Sequence, residues 1–155
     1  MSKTQPSVKQ LWNAFINKHP EYRDKNITES FYFCDNETDA NVCANLVLKR
    51  IKQATATSLW WFETHNQALP KINDLNIVTD WDGNAVAVIK TTQIEVVPFH
   101  KVTEAFAQTE GEGDGSLAYW RKVHKAFYTR EMKNSSDSFD EKMLIVCERF
   151  ETLYP

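Results

Sequence analysis

Apolar residues recur at helical spacing near the beginning of the chain. Positions i, i+3, i+4, i+7 and i+8 are all apolar, so one face of a helix is hydrophobic and the helix ends before Pro20. These residues are Val8, Leu11, Trp12, Phe15 and Ile16. A second apolar face, made of Cys43, Leu46 and Val47, predicts a helix that is capped by Asp39 and ends near Arg50.

The middle of the chain has the composition of strands. Residues 31–33 form a short strand or an extended entry, and residues 55–61 favour an extended segment because Thr and Trp are common in sheets. Asp82 and Gly83 form a turn signal between two further strands, at residues 75–81 and 85 to about 97. A last apolar strand is predicted at residues 143–150.

The order of these elements predicts the fold class. A helical turn at residues 103–108 precedes a third long helix, capped by Asp114 or Ser116. Helices and strands do not alternate regularly, so we expect a single α+β domain on an antiparallel or mixed sheet. With at least four extended segments, the sheet is able to close into a small barrel.

Composition and charge narrow the function. The chain has 155 residues, of which 42% are hydrophobic and 25% charged, as in an ordinary soluble protein. No apolar run is long enough for a signal region or a membrane span, so we expect a cytoplasmic protein without a membrane partner. Three cysteines without a C-x-x-C pair and four isolated histidines predict no disulfide framework, no metal site and no cofactor.

Basic residues are clustered although the net charge is −3. They are either solvated helix faces or a local surface for a small or specific nucleic-acid ligand, and they do not suit indiscriminate binding to a DNA duplex. The clusters are Lys49, Arg50 and Lys52, and then Arg121, Lys122, His124, Lys125, Arg130 and Lys133.

Three of the four glycines lie within residues 110–115, where they alternate with three carboxylates. Glycine is needed where φ is positive or another group approaches the backbone closely. The carboxylates would repel a phosphate, and the spacing of a calcium loop is absent. The stretch is therefore a structural turn before a helix or a loop that presents a carboxylate for proton transfer.

Two further positions carry candidate chemistry. Lys52 and Thr55 lie at the junction of a helix and a strand, where Lys52 could act as the base for a Thr55 nucleophile if its pKa were strongly lowered. Thr55 is otherwise an ordinary strand residue. Trp60 and Trp61 are adjacent, so in a strand one of them faces outward and is able to stack on a nucleobase.

These residues resemble the ASCH domain family. The resemblance covers residues 31 to the last strand and rests mainly on three strings of sequence, which are K-Q-A-T-A-T-S at 52–58, E-G-E-G-D-G-S-L-A-Y-W-R-K-V-H at 110–124 and V-C-E-R-F at 146–150. It implies a PUA-like β-barrel, mostly antiparallel and flanked by helices, at residues 31–155. Residues 1–30 would then be a helical extension packed on this domain.

The resemblance also implies a function that involves RNA or a modified nucleoside. One subgroup of the family resembles amidohydrolases of N4-acetylcytidine, and its motif maps onto Lys52, Thr55 and Glu110. In that hypothesis Lys52 takes the proton of Thr55, Thr55 attacks the acetyl carbonyl, and Glu110 protonates the leaving amine. The alternatives are an RNA-binding module without a reaction and a ribonuclease for single-stranded RNA that uses a divalent metal ion.

Four residues around this motif are expected to contact the substrate: Trp60, Ser116, Tyr119 and Arg121. Members of the family usually have Gly where this chain has Arg50, and often where it has Cys34 and Asn73. A side chain at positive φ costs about 1 kcal/mol, less for Asn. Arg50 therefore indicates either a reshaped helix end or an added cation beside the site.

Overall fold

The computed structural model describes residues 6–155. The predicted extension at residues 1–30 thus lies partly outside the described residues. Five helices are present in the described part: α1 (Pro6–Lys18), α2 (Glu37–Leu48), α3 (Leu59–Thr64), α4 (Glu104–Glu110) and α5 (Leu117–Glu131). Short 3-10 helices follow at Pro20–Tyr22 and Phe99–Lys101.

Five strands in this part of the chain form one mixed sheet: β1 (Glu29–Phe31), β2 (Ala54–Ser58), β3 (Leu75–Thr79), β4 (Ala85–Pro98) and β5 (Leu144–Tyr154). Their order across the sheet is β1-β3-β4-β5-β2. Only the β1–β3 pair is parallel among the pairs that the described residues form. The α+β class and the mostly antiparallel sheet are confirmed.

The long strands β4 and β5 curl the sheet. The first half of β4 pairs with β3 and its larger part with β5, with register shifts at Val88/Ile89 and Thr91/Gln93. Such shifts bend a strand and increase its twist. In the described chain the edge strands β1 and β2 do not pair with each other, so the predicted barrel is a curled half-barrel.

Three local predictions were wrong. The extended segment of residues 55–61 ends at Ser58, because the Ser58 hydroxyl accepts the N–H of Trp61 and caps α3. The cap of α2 is Asn36 rather than Asp39. The last strand continues to Tyr154, beyond the predicted residue 150.

Apolar clusters hold the helices on both faces of the sheet. Helix α1 contributes Val8 and Phe15 to a cluster with Ile77 and Val88. Helices α4 and α5 pack on β2 and β5 around a second cluster, whose buried centre includes Trp120. No helix within residues 6–155 is both long and apolar enough to cross a membrane.

Candidate functional site

Lys52 is placed by the end of α2. The backbone N–H of Arg50 donates to the Val47 carbonyl and that of Ile51 to the Leu46 carbonyl, which is the Schellman arrangement of a helix C-terminus. The N–H of Lys52 donates to the Leu46 carbonyl as well. The chain therefore turns sharply, and β2 begins two residues later with the Lys52 side chain buried.

Glu110 is placed by the end of α4. It is the last residue of that helix, and Gly111 ends the helix with φ +68°. A Cβ on Gly111 would lie 2.4 Å from the Ile51 carbonyl oxygen. The glycine thus lets the two backbones touch, and this contact brings Glu110 next to Lys52.

A buried ionic cluster results from this contact. The Lys52 ammonium donates to the Ala54 carbonyl at 2.8 Å and lies 3.4 Å from Glu112 Oε2 and 3.9 Å from Glu110 Oε1. The Lys52 and Glu110 side chains are each only 2% exposed. An amine and a carboxylate from two distant segments of the predicted Lys52, Thr55 and Glu110 site therefore lie close together.

His124 completes the cluster, although the sequence analysis treated it as an isolated histidine. Its Nε2 lies 3.2 Å from Glu110 Oε2, and Trp120 Nε1 donates to the same oxygen at 2.6 Å. Its Nδ1 lies 2.8 Å from the Trp120 carbonyl, which accepts hydrogen bonds only. Nδ1 therefore carries a hydrogen, and a hydrogen bond between Nε2 and Glu110 needs one further proton, held by the imidazole or by the carboxyl group.

The charges of the cluster determine its resting protonation. Burial acts to lower the pKa of Lys52, but Glu112 and Glu110 outweigh it and raise that pKa above its ordinary value. Burial acts to raise the pKa of Glu110, but His124 and Lys52 lower it overall. Against burial, Glu110 likewise raises the pKa of His124. These shifts favour the charged form of each group, which is the ammonium of Lys52, the carboxylate of Glu110 and the imidazolium of His124.

Thr55 lies on β2 directly after Ala54, whose carbonyl accepts a hydrogen bond from the Lys52 ammonium. It is half-buried, and strand alternation places it on the face opposite Ala54 and Ala56. Its partner across the sheet is Glu148, whose carboxylate accepts the Thr91 hydroxyl at 2.6 Å. Burial raises the pKa of Glu148. Within residues 6–155 the Lys52 ammonium donates to the Ala54 carbonyl and to Glu112, and the Thr55 hydroxyl is not one of its hydrogen-bond partners.

The four residues that were predicted to contact the substrate do not lie around one common site. Trp60 lies on α3 rather than on a strand, and its Nε1 donates to Asp137. The Ser116 hydroxyl caps α5. Tyr119 packs against Gly113, in the glycine-rich loop of residues 110–115, and lies beside Glu112. Arg121 is exposed and reaches toward the His100 carbonyl at 3.5 Å.

Three positions at which members of the family have glycine have a positive φ in this chain, although it has other residues there. Arg50, Cys34 and Asn73 have φ values of 61°, 71° and 78°, all in the left-handed region that glycine adopts most easily. Arg50 neither reshapes the end of α2 nor adds a cation to the cluster. Its exposed guanidinium donates instead to the Pro155 carbonyl at 2.8 Å.

Within residues 6–155, two sets of side chains are close enough to hold a metal ion, although the sequence predicts no metal site. One set consists of Glu110, Glu112 and His124, and the other of Cys34, Cys43 and Glu112. The Lys52 ammonium lies 3.4 Å from Glu112 Oε2 and 3.9 Å from Glu110 Oε1, so both carboxylates of the first set already face a cation of the protein itself.

The curled mixed sheet, its flanking helices and the cluster beside a glycine turn define this chain as a PUA-like domain. The family model described as "ASCH domain" matches residues 29–154, and the chain belongs to the ASCH domain family. A comparison with curated proteins gives no significant match.

Solved structures agree with this assignment. The ASCH domain from Lactobacillus crispatus JV V101 is 32% identical, with a TM-score of 0.92 over 100% of this chain and 99% of that one. Protein EF3133 from Enterococcus faecalis V583 is 33% identical, with a TM-score of 0.85 over 94% of this chain and 87% of that one. The hypothetical protein PH0355, at 19% identity and a TM-score of 0.52, shares the fold.

Proposed function

We propose that this chain is a hydrolase that removes an acyl group from the exocyclic amine of a cytidine-type nucleoside. The observation that carries the proposal is the buried Glu110 carboxylate between Lys52 and His124. Burying several charges costs several kcal/mol per ion, so an ion cluster is weak evidence for a stabilising role. Buried titratable groups with shifted pKa values are instead common at catalytic sites.

The proposed reaction has two steps. The Thr55 hydroxyl attacks the acyl carbonyl, and its proton passes to a base while the acyl group becomes an ester of Thr55. The cytosine amine leaves with a proton that Glu110 donates. Water then hydrolyses the ester, which releases the acid and restores the hydroxyl.

The resting protonation sets a condition on this reaction. Lys52 acts as a base and Glu110 as an acid only when a proton has moved from the ammonium to the carboxylate, across the 3.9 Å that separates them. His124 is able to deliver a proton to Glu110 as well, over 3.2 Å. Glu148 lies opposite Thr55 and has a raised pKa, so it is a second candidate for the base.

Release of cytidine from N4-acetylcytidine tests the proposal. Lys52→Met, Thr55→Val and Glu110→Gln are each expected to lower the rate by about 100-fold or more, as the loss of an acid, base or nucleophile does. Thr57→Val is the matched control, because Thr57 lies two residues along the same face of β2 and is equally half-buried. Retained activity in Thr55→Val, or equal losses in both threonine variants, would contradict the nucleophile assignment.

A binding module without chemistry is the second candidate. It is favoured by the exposed cations Arg121, Lys122 and Lys125 on α5, with Lys101 exposed nearby. Binding of single-stranded RNA without a product, with an affinity that falls steeply with salt, would support this function instead. RNA cleavage that a chelator abolishes would support a metal-dependent ribonuclease instead, with Glu110, Glu112 and His124 as the metal ligands.

A further inference from the structure

Two cysteine thiols face each other beside the ionic cluster. Cys34 Sγ lies 3.5 Å from Cys43 Sγ, and the Cys43 thiol donates to Glu112 Oε1 at 2.9 Å. A disulfide needs an S–S distance of about 2.05 Å, so rotation of the two side chains must close roughly 1.5 Å. Both cysteines are free thiols in the structure.

The surrounding structure holds the two thiols in this position. Cys43 is on the buried face of α2, and Cys34 precedes the Asn36 cap of the same helix. Asp35, next to Cys34, is bound by the Arg130 side chain of α5 at 2.9 Å. The segment that carries Cys34 is thus held by contacts to both α2 and α5, and Cys34 remains a partly exposed residue while Cys43 is buried.

The backbone at Cys34 argues that the thiol has a role. Its φ of 71° is unfavourable for any side chain with a Cβ, and glycine would adopt it without strain. A cysteine at such a position keeps a conformational cost that a glycine would remove. The chain bears this cost where the side chain meets a second thiol.

We propose that Cys34 and Cys43 form a reversible oxidation site that a peroxide converts to an intramolecular disulfide. The sulfur of the partly exposed Cys34 attacks one peroxide oxygen and the O–O bond breaks; the leaving hydroxide takes up the proton of the thiol as water, and a sulfenic acid remains on Cys34. The Cys43 thiol then displaces the sulfenic oxygen as a second water, so two thiols and one hydrogen peroxide give one disulfide and two waters. A small thiol reductant reverses the reaction by exchange.

Oxidation reaches the ionic cluster through a single carboxylate. The disulfide has no S–H, so Glu112 Oε1 loses the donor that Cys43 provides. Glu112 Oε2 is 3.4 Å from the Lys52 ammonium. The oxidation state of the cysteine pair therefore determines how many donors compete for the carboxylate that binds Lys52.

The experiment is a titration of the folded protein with hydrogen peroxide, followed by alkylation in denaturant and peptide mapping. We expect a Cys34–Cys43 crosslink that a reductant reverses, while Cys147, a buried residue outside the pair, is recovered as the alkylated thiol. Cys147→Ser should form the same crosslink at the same rate. Cys34→Gly should form none and should fold normally, since glycine suits the backbone there.

Several results would overturn the proposal. They are accumulation of sulfinic acid on Cys34 with Cys43 still free, crosslinks between molecules, and oxidation of Cys147 as fast as that of the pair. A pair that reacts only after the protein has unfolded would contradict it as well. Because every readout is a mass, the result does not depend on the hydrolase activity.

Discussion

Replacement of Gly111 by alanine tests whether the contact between the two backbones builds the site. The added Cβ would lie 2.4 Å from the Ile51 carbonyl oxygen, whereas ordinary contact begins at 3.4 Å, so the two segments must separate by about 1 Å. Crowding of this kind costs about 1–3 kcal/mol. The left-handed φ of 68° adds about 1–2 kcal/mol to this cost. Alanine also lowers the conformational entropy of the unfolded chain, which offsets about 0.4–1 kcal/mol. The expected loss is about 1–5 kcal/mol.

Gly115→Ala is the matched control for this variant. Gly115 has a similar φ of 75°, but the nearest atom to its added Cβ is Gln108 Cα at 4.0 Å. We expect it to lose only about 1 kcal/mol, from the backbone conformation alone. Urea unfolding measures both as shifts of the midpoint at constant slope. Equal losses in the two variants would refute the argument, because the backbone approach at Ile51 would then carry no energy.

Three further predictions concern stability. The free energy of unfolding should fall as pH rises from 6.5 through the higher pKa of His124 in the folded protein, because the native state holds that proton more tightly than the unfolded chain does. His124→Gln should remove this fall in a series of unfolding measurements at different pH values. Arg50→Gly should stabilise the protein by about 1 kcal/mol in urea, since it relieves a φ of 61° and loses only an exposed hydrogen bond; a loss of stability would contradict this. Tyr128→Phe should cost about 1–2 kcal/mol and lower the midpoint of thermal unfolding, because a buried hydroxyl donates to the Ala56 carbonyl at 2.9 Å; an unchanged midpoint would argue against the contact.

Most of the fold could be predicted because its elements are determined locally. The apolar face of α1 and the turn at Gly83 are visible in short windows of sequence. The helix α3 was missed because its residues favour strands, and the Ser58 cap that begins it looks like any strand serine. Local propensity there was overruled by a single side-chain hydrogen bond.

The candidate site was only partly predictable, since its members come from separate segments. Lys52 and Glu110 were found through the motif and do meet. His124 was overlooked, although it follows Trp120 by four residues and so shares its helix face, where both side chains bind Glu110. Cys43 gave no such signal, because only the folded chain places an interior helix residue against Glu112.

The balance of charge in the cluster bears on the substrate. Two basic groups, Lys52 and His124, face two carboxylates, Glu110 and Glu112, so both basic groups are already paired and the cluster has no spare cation for a phosphate. A nucleic-acid backbone would gain its affinity from the exposed cations of α5 and not from this site. A neutral acyl nucleoside does not need cations for binding. In the proposed reaction, the strong local field between the ion pairs would stabilise charge that develops on the substrate. The proposed reaction on an uncharged acyl group therefore fits this arrangement of charges better than capture of RNA by the same cluster does.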